Sequence, residues 1–216
     1  MVNFNVTPIH KPTVALSALQ SNAQDLAKDI AWCEQVIRVR FSLYFQQETS
    51  YESVLDIAPP SAKSYDSGYG QFLQQTELTF TERLALVLAL LPEVKPNSMD
   101  MFLYRNESTE RPYTEFGCQE FNGRIYATGE TLVFLLSGDD LELRLNIQKQ
   151  LYSKSQSPVF NLMELNGQED DVLLMKTPFK LNDEFLHLFT ISEPYRPELS
   201  ESFPAKRVVS GRKWQI

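Results

Sequence analysis

Between Asp25 and Gln47 the apolar residues Leu26, Ile30, Cys33, Ile37, Phe41 and Tyr44 return every three or four positions. Lys28, Glu34 and Arg38 occupy the remaining sides of the wheel, so the pattern predicts an amphipathic helix. Arg38 and Arg40 lie in its C-terminal half, where positive charge suits the helix dipole. Before it, residues 1–20 hold Pro8 and Pro12 and show no period. They predict an extended arm.

A different pattern follows Thr79. Thr79 and Glu82 have capping-box spacing, and Arg83 to Leu91 is apolar on every side of the wheel. A helix apolar all round is a buried one, so this is the predicted central helix, ended by Pro92 and Pro96. Residues 48–70 are predicted as a loop interrupted by Pro59 and Pro60, with a short helix at 70–75. Asn97 or Ser98 is expected to cap another short helix over 99–104. Residues 105–126 are polar and irregular and long enough to suggest a functional loop, with room for a short hairpin.

The stretch "ATGETLVFLLSGDDLELR", residues 127–144, reads as two consecutive helices around a corner. Thr128 is the expected N-cap, Gly129 follows it, and Glu130 stands in the first turn where the dipole favours an acid. Leu132, Phe134 or Leu135, and Leu136 are expected to be buried. Gly138 marks the corner, and Asp139, followed by Asp140 and Glu142, is expected to cap the second helix through Leu141, Leu145 and Gln148. A Ser-rich linker at 153–158 suggests a boundary. Beyond it, Phe160–Leu165 fits a short helix or strand, Asn166-Gly167 a turn and Val172–Met175 a strand. Asn182 or Asp183 would cap a helix over 184–189. The expected fold class is α+β, mainly α: an arm (1–20), a helical domain (21–152) and a small winged-helix-like subdomain (153–216).

Composition narrows this picture. The chain has 216 residues, 43% hydrophobic and 22% charged, which suffices for a core without disulfides or metals. No apolar run reaches the length of a membrane span and no signal-peptide pattern opens the chain, so a cytoplasmic protein without a membrane partner is expected. The net charge of −8 argues against nucleic acid as a partner. Lys206, Arg207, Arg212 and Lys213 nevertheless crowd the last eleven residues without an acid. They are candidates for an acidic partner.

Candidate chemistry is sparse. None of the eight glycines is followed by lysine, so no phosphate loop exists to serve an apolar run ending in Asp139-Asp140. His10 and His187 have no ligand spacing, Cys33 and Cys118 no motif, and no serine or cysteine has a triad context. No catalytic, cofactor or metal residue is assigned, and the chain is expected not to be an enzyme. Binding remains. Tyr113, Phe116, Phe121 and Tyr126 lie beside Arg105, Arg111 and Arg124, and exposed Tyr with Arg is hot-spot chemistry. The competing reading is that these aromatics pin a long loop to the core.

The blocks "DIAPP" (56–60), "ERLALVLALLP" (82–92), "YTEFG" (113–117), "TGETLVFLLSGDDLELR" (128–144) and "SFPAKRVVSGRKW" (202–214) occur in this order. Over about residues 25–216 they resemble the region preceding the ATPase module in a Bacteroidetes-type family of AAA ATPases, a variant winged-helix-containing N-terminal domain. Cys118 after "EFG" and "GRIYA" before Thr128 depart from that pattern. Full-length members continue from the Phe203–Trp214 stretch into the ATPase. The expectation is therefore a domain dissected from its motor or a stand-alone relative. The resemblance implies a non-catalytic adaptor that binds a partner protein or organises an assembly, with an ATPase module or ring in cis or in trans, and homo-oligomers are compatible with it. Two alternatives go with it: a structural component of a contractile injection-type particle, and a winged-helix nucleic-acid module.

Overall fold

The computed structural model describes residues 13–152, 157–163 and 175–191. Its spine is α1, Thr13–Tyr44, a helix of 32 residues and about 48 Å. The predicted face is buried from Leu26 through Phe41, and Trp32, Val36 and Val39 bury the flanks as well. The helix starts earlier than its amphipathic pattern: residues 13–20, expected in the extended arm, are helical. Pro12 precedes them, and Ala, Leu and Gln carry the helix without a break. Residues 1–12 lie outside the described residues.

Two 3₁₀ turns, Val54–Asp56 and Ala62–Ser64, break the predicted loop. Then come α2 (Gly68–Thr76) and α3 (Phe80–Val94). The capping box holds: Thr79 Oγ1 accepts from Glu82 N at 3.3 Å, and Glu82 Oε2 accepts from Thr79 N at 3.0 Å. Leu84 to Leu91 are all buried, as an all-round apolar helix requires. Pro92 does not end α3. It removes only the bond its own nitrogen would have donated, and the next turn still closes with Lys95 N on Leu91 O at 2.9 Å. The expected helix at 99–104 is a 3₁₀ helix, Pro96–Leu103, without a side-chain cap. Ser98 donates instead to Glu34 Oε1 at 2.6 Å, tying this segment to α1.

The hairpin anticipated in the long loop is β1 (Gln119–Phe121) with β2 (Arg124–Tyr126), antiparallel, Glu120 opposite Ile125. Asn122 and Gly123 both have positive φ (51° and 73°), which is the turn an Asn-Gly pair favours between two short strands. Next are α4 (Gly129–Ser137), α5 (Leu141–Tyr152), a 3₁₀ turn at Phe160–Leu162 and α6 (Asp183–Ile191). The chain is thus mainly α with a two-stranded antiparallel sheet.

α1 packs against α2, α3, α4 and α6, and α5 leans on α4. Val159, Phe160, Met175, Phe179 and Phe189 share the apolar core of α1, α3 and α4. Two backbone bonds tie the later segments to the start of α4: Glu130 N to Met175 O at 2.9 Å and Phe179 N to Ala127 O at 2.7 Å. A lone antiparallel bridge joins Met163 and Leu181, and Asn182 Oδ1 accepts from Phe185 N at 3.1 Å, capping α6. The Asn166-Gly167 turn, most of the 172–175 strand, and so most of the winged-helix expectation fall outside the described residues.

Candidate partner-binding surface

The 104–126 segment is anchored from beneath by aromatic rings. Phe116 is buried with its ring 4.9 Å from those of Phe41, Tyr113 and Phe134, and 5.7 Å from that of Tyr44. Tyr113 is half-buried, edge-on to Tyr44 and Phe45 at 5.7 and 5.5 Å. Tyr126 is buried, and its hydroxyl donates to Glu93 Oε1 at 3.0 Å. Burial, then that carboxylate, raises its pKa. Of the four candidate aromatics, these three hold the loop down, and only Phe121, 54% exposed, faces solvent.

The arginines divide as well. Arg124 forms an ion pair with Glu93 and donates to Pro92 O at 3.1 Å, satisfying a carbonyl in the last turn of α3. Arg105 and Arg111 are exposed. Arg105 bridges to Pro112, and between them Asn106 Oδ1 accepts from Ser108 N and Thr109 N at 2.9 and 3.2 Å, closing an Asx turn. Exposed Leu103 and Tyr104 lead into this turn, the latter with its ring on Phe41 at 6.1 Å. The hairpin rests on the 96–103 helix and on α3. The exposed set is therefore Tyr104, Arg105, Arg111 and Phe121, displayed on a fixed base. Lys206, Arg207, Arg212 and Lys213 lie outside the described residues.

The 128–140 motif is a joint. Thr128 Oγ1 accepts from Glu130 N and Thr131 N at 3.2 and 3.4 Å and donates to Gly117 O at 2.8 Å. Gly129 is the first residue of α4, and Leu132 to Leu136 are all buried. Glu130 forms an ion pair with Arg144, pinning α5 to α4. Gly138 takes φ 51°, ψ −123°, and a Cβ there would strike the Arg40 guanidinium. Arg40 is buried and donates to Leu135 O and Leu136 O at 2.8 and 3.0 Å, filling the orphan carbonyls where α4 ends. Burial lowers its pKa, with Asp139's charge opposing that. Asp139 does not cap α5. The turn at Gly138 takes one residue more, so Asp140 caps, its Oδ1 accepting from Leu143 N at 3.0 Å.

Sequence reasoning missed a buried polar seam. Asn22, Asp25 and Asp29 stand three and four apart on one face of α1. Asp25 Oδ2 accepts from Ser67 Oγ at 2.8 Å and from Asp66 N at 3.1 Å, holding the start of α2. Asn22 donates to Phe189 O and, at 3.0 Å, to Thr190 O at the end of α6. Asp29 is fully buried and accepts from Arg83 Nε and Nη2 at 2.8 and 2.7 Å, Tyr65 Oη at 2.7 Å and Tyr69 Oη at 2.6 Å. Burial works against the Arg83 charge, but the Asp29 hydrogen bonds and charge outweigh it and raise the pKa. Burial, with Asp29, pushes both tyrosine hydroxyls up. All four acceptor sites of Asp29 are filled, so it has none left for a substrate proton. The Cys33 thiol is pushed far up by burial, then by Glu34 and Asp29, and burial pushes Cys118 to about 12. Neither is a ready nucleophile. Among the described residues no three of His, Cys, Asp and Glu converge as metal ligands, and no helix is long and apolar enough to cross a membrane.

A second missed feature is α5. Leu141, Leu145 and Tyr152 are 65%, 57% and 62% exposed, while Ile147 and Leu151 are buried. The line read as the helix's own, Leu141–Leu145–Gln148, turns to solvent or to the rim. Apolar residues at 141, 143, 145, 147, 151 and 152 are too many for one face, and that count was the available signal. No family model, curated protein or solved structure matches the chain.

Proposed function

We propose that this chain is a non-catalytic, protein-binding domain that works with a AAA-type ATPase, in cis or in trans. The ordered blocks from Asp56 to Trp214 support the ATPase association. The observation that carries the binding reading is the exposed set Tyr104, Arg105, Arg111 and Phe121 on a base clamped by Phe116, Tyr113 and Tyr126. Aromatic and arginine side chains dominate interface energetics, and a backbone already ordered loses little entropy on docking.

The test is binding of the chain to the AAA-type ATPase encoded nearest its own gene, measured by biolayer interferometry. The Phe121→Ala/Arg111→Ala variant should bind about tenfold or more weakly, as loss of one hot spot implies, with an unchanged melting temperature. No association up to about 100 μM, weaker than any ordinary functional contact, would sink the ATPase reading. Equal binding by the variant would sink the surface.

A further inference from the structure

We infer that α5 pairs with α5 of a second copy of this chain, antiparallel, through the stripe Leu141–Leu145–Tyr152. At about 100° per residue the three lie within about 40° of one another, and the core-facing Leu143, Ile147 and Leu151 centre about 140° away. α5 therefore has two apolar faces, and α4 covers one of them.

Charge identifies the occupant. Glu142 and Lys149 both border the stripe on the same flank, near the two ends of the helix, and both are exposed. Among the described residues neither has a hydrogen-bond or ion-pair partner. In an antiparallel helix pair each flank meets the same flank of its partner. The register that sets Leu141 over Tyr152 of the other copy also sets Leu145 over Gln148. The same register brings Glu142 beside Lys149 of the other copy, and Lys149 beside its Glu142. The stripe is thus self-complementary under a two-fold axis near residues 146 and 147, as an isologous contact requires. Arg144 is already paired with Glu130 on the other side and adds no repulsion. A helix of 12 residues covers less than the roughly 800 Å² per partner of a standard interface, so the pair is weak and depends on concentration.

The test is sedimentation velocity on the full chain from about 1 to about 500 μM, a range that spans weak, transient contacts. The wild type should pass from monomer to dimer. Leu145→Glu should stay monomeric with an unchanged circular dichroism spectrum, since Leu145 is exposed and lies outside the core cluster. Glu142→Lys alone and Lys149→Glu alone should each dimerise about tenfold more weakly, whereas an equimolar mixture of the two should recover wild-type association. Weakening by each single variant, together with return to the wild-type level on mixing, is what the antiparallel register requires. A monomer at every concentration overturns the inference, including the case in which another segment of the same chain covers the stripe. A dimer indifferent to Leu145→Glu, or single variants that mixing does not rescue, overturns it equally. Phe121→Ala should leave self-association unchanged, so this result stands or falls separately from ATPase binding.

Discussion

Replacing Arg83 by methionine tests how the helices are held together. The substitution keeps the stem that packs beside Trp32, whose ring lies 5.9 Å from the guanidinium carbon, and removes the charge. Asp29 then keeps only the Tyr65 and Tyr69 hydroxyls, with no route to water because it is fully buried. Removing one partner of a buried ion pair costs about 3–5 kcal/mol, because the other charge is left uncompensated. For a chain of 216 residues, at about 2–4 °C per kcal/mol, the melting temperature should fall by about 6–20 °C. Asp29→Leu should cost a comparable amount, since it strands a guanidinium and two hydroxyls. The double variant Asp29→Leu/Arg83→Met should cost about 1–3 kcal/mol less than the sum of the two, because no charge remains unpaired. Thermal melts followed by circular dichroism, with urea midpoints as a second measure, give all three numbers. A loss under about 1 kcal/mol for Arg83→Met, or strict additivity in the double variant, would refute the buried-pair reasoning.

Three further outcomes follow from local geometry. Gly138→Ala should destabilise by about 1–3 kcal/mol in urea unfolding, since φ 51° with ψ −123° suits only glycine and the added methyl displaces Arg40 from the end of α4. Thr128→Ala should cost about 2 kcal/mol through loss of the α4 cap and of the bond to Gly117 O, while Thr128→Ser should recover most of it. Glu82 tests pH dependence: burial alone would raise its carboxyl, but hydrogen bonds from Ser157 and Thr79 outweigh that and hold it below the ordinary glutamate value. A depressed folded pKa means stability that is present above the unfolded value of about 4.3 and lost as pH falls through the folded one. Glu82→Gln should therefore lower stability at neutral pH and flatten the fall in melting temperature below about pH 4.3; an unchanged acid slope would contradict this.

What the sequence disclosed was local. The Thr79/Glu82 box and the Thr128 cap each depend on residues within four positions of one another, and each is where the pattern places it. The buried apolar helix 83–91 was legible because no register of it could face water. The Asp29–Arg83 contact was not, because its partners are 54 positions apart and an arginine at the head of an apolar run resembles a solvent-facing start. The cap at Asp140 rather than Asp139 hinges on the ψ of Gly138, which composition does not encode. The loop aromatics were the instructive case. Phe116 and Tyr126 look the same in sequence as Phe121, and only the ring cluster on Phe41 and the hydroxyl bond to Glu93 separate anchors from the exposed member.

The two missed features bear on one another. α1 holds α2, α3 and α6 through the polar seam at its N-terminal half, and α4 through Arg40 and the aromatic cluster at its C-terminal half. The seam and the Arg40 bonds each have one partner on α1, at opposite halves of the helix, so the two ends can be weakened independently by substitution. Among the described residues α5 has no hydrogen bond or ion pair to α1. Among the described residues the Glu130–Arg144 pair and packing on α4 join it to the body, with Ile147 and Leu151 in the core. Its exposed stripe therefore depends on the α4–α5 joint rather than on a polar contact with α1. Arg83→Met, which loosens the seam, should lower the melting temperature without changing the dimer constant measured well below the melt. Arg144→Ala should do the reverse: a small stability loss, about 0.5–1 kcal/mol for a partly exposed pair, with weaker self-association because α5 is less firmly positioned. Equal effects of the two substitutions on dimerisation would show that the stripe depends on the whole core and not on the α4–α5 joint.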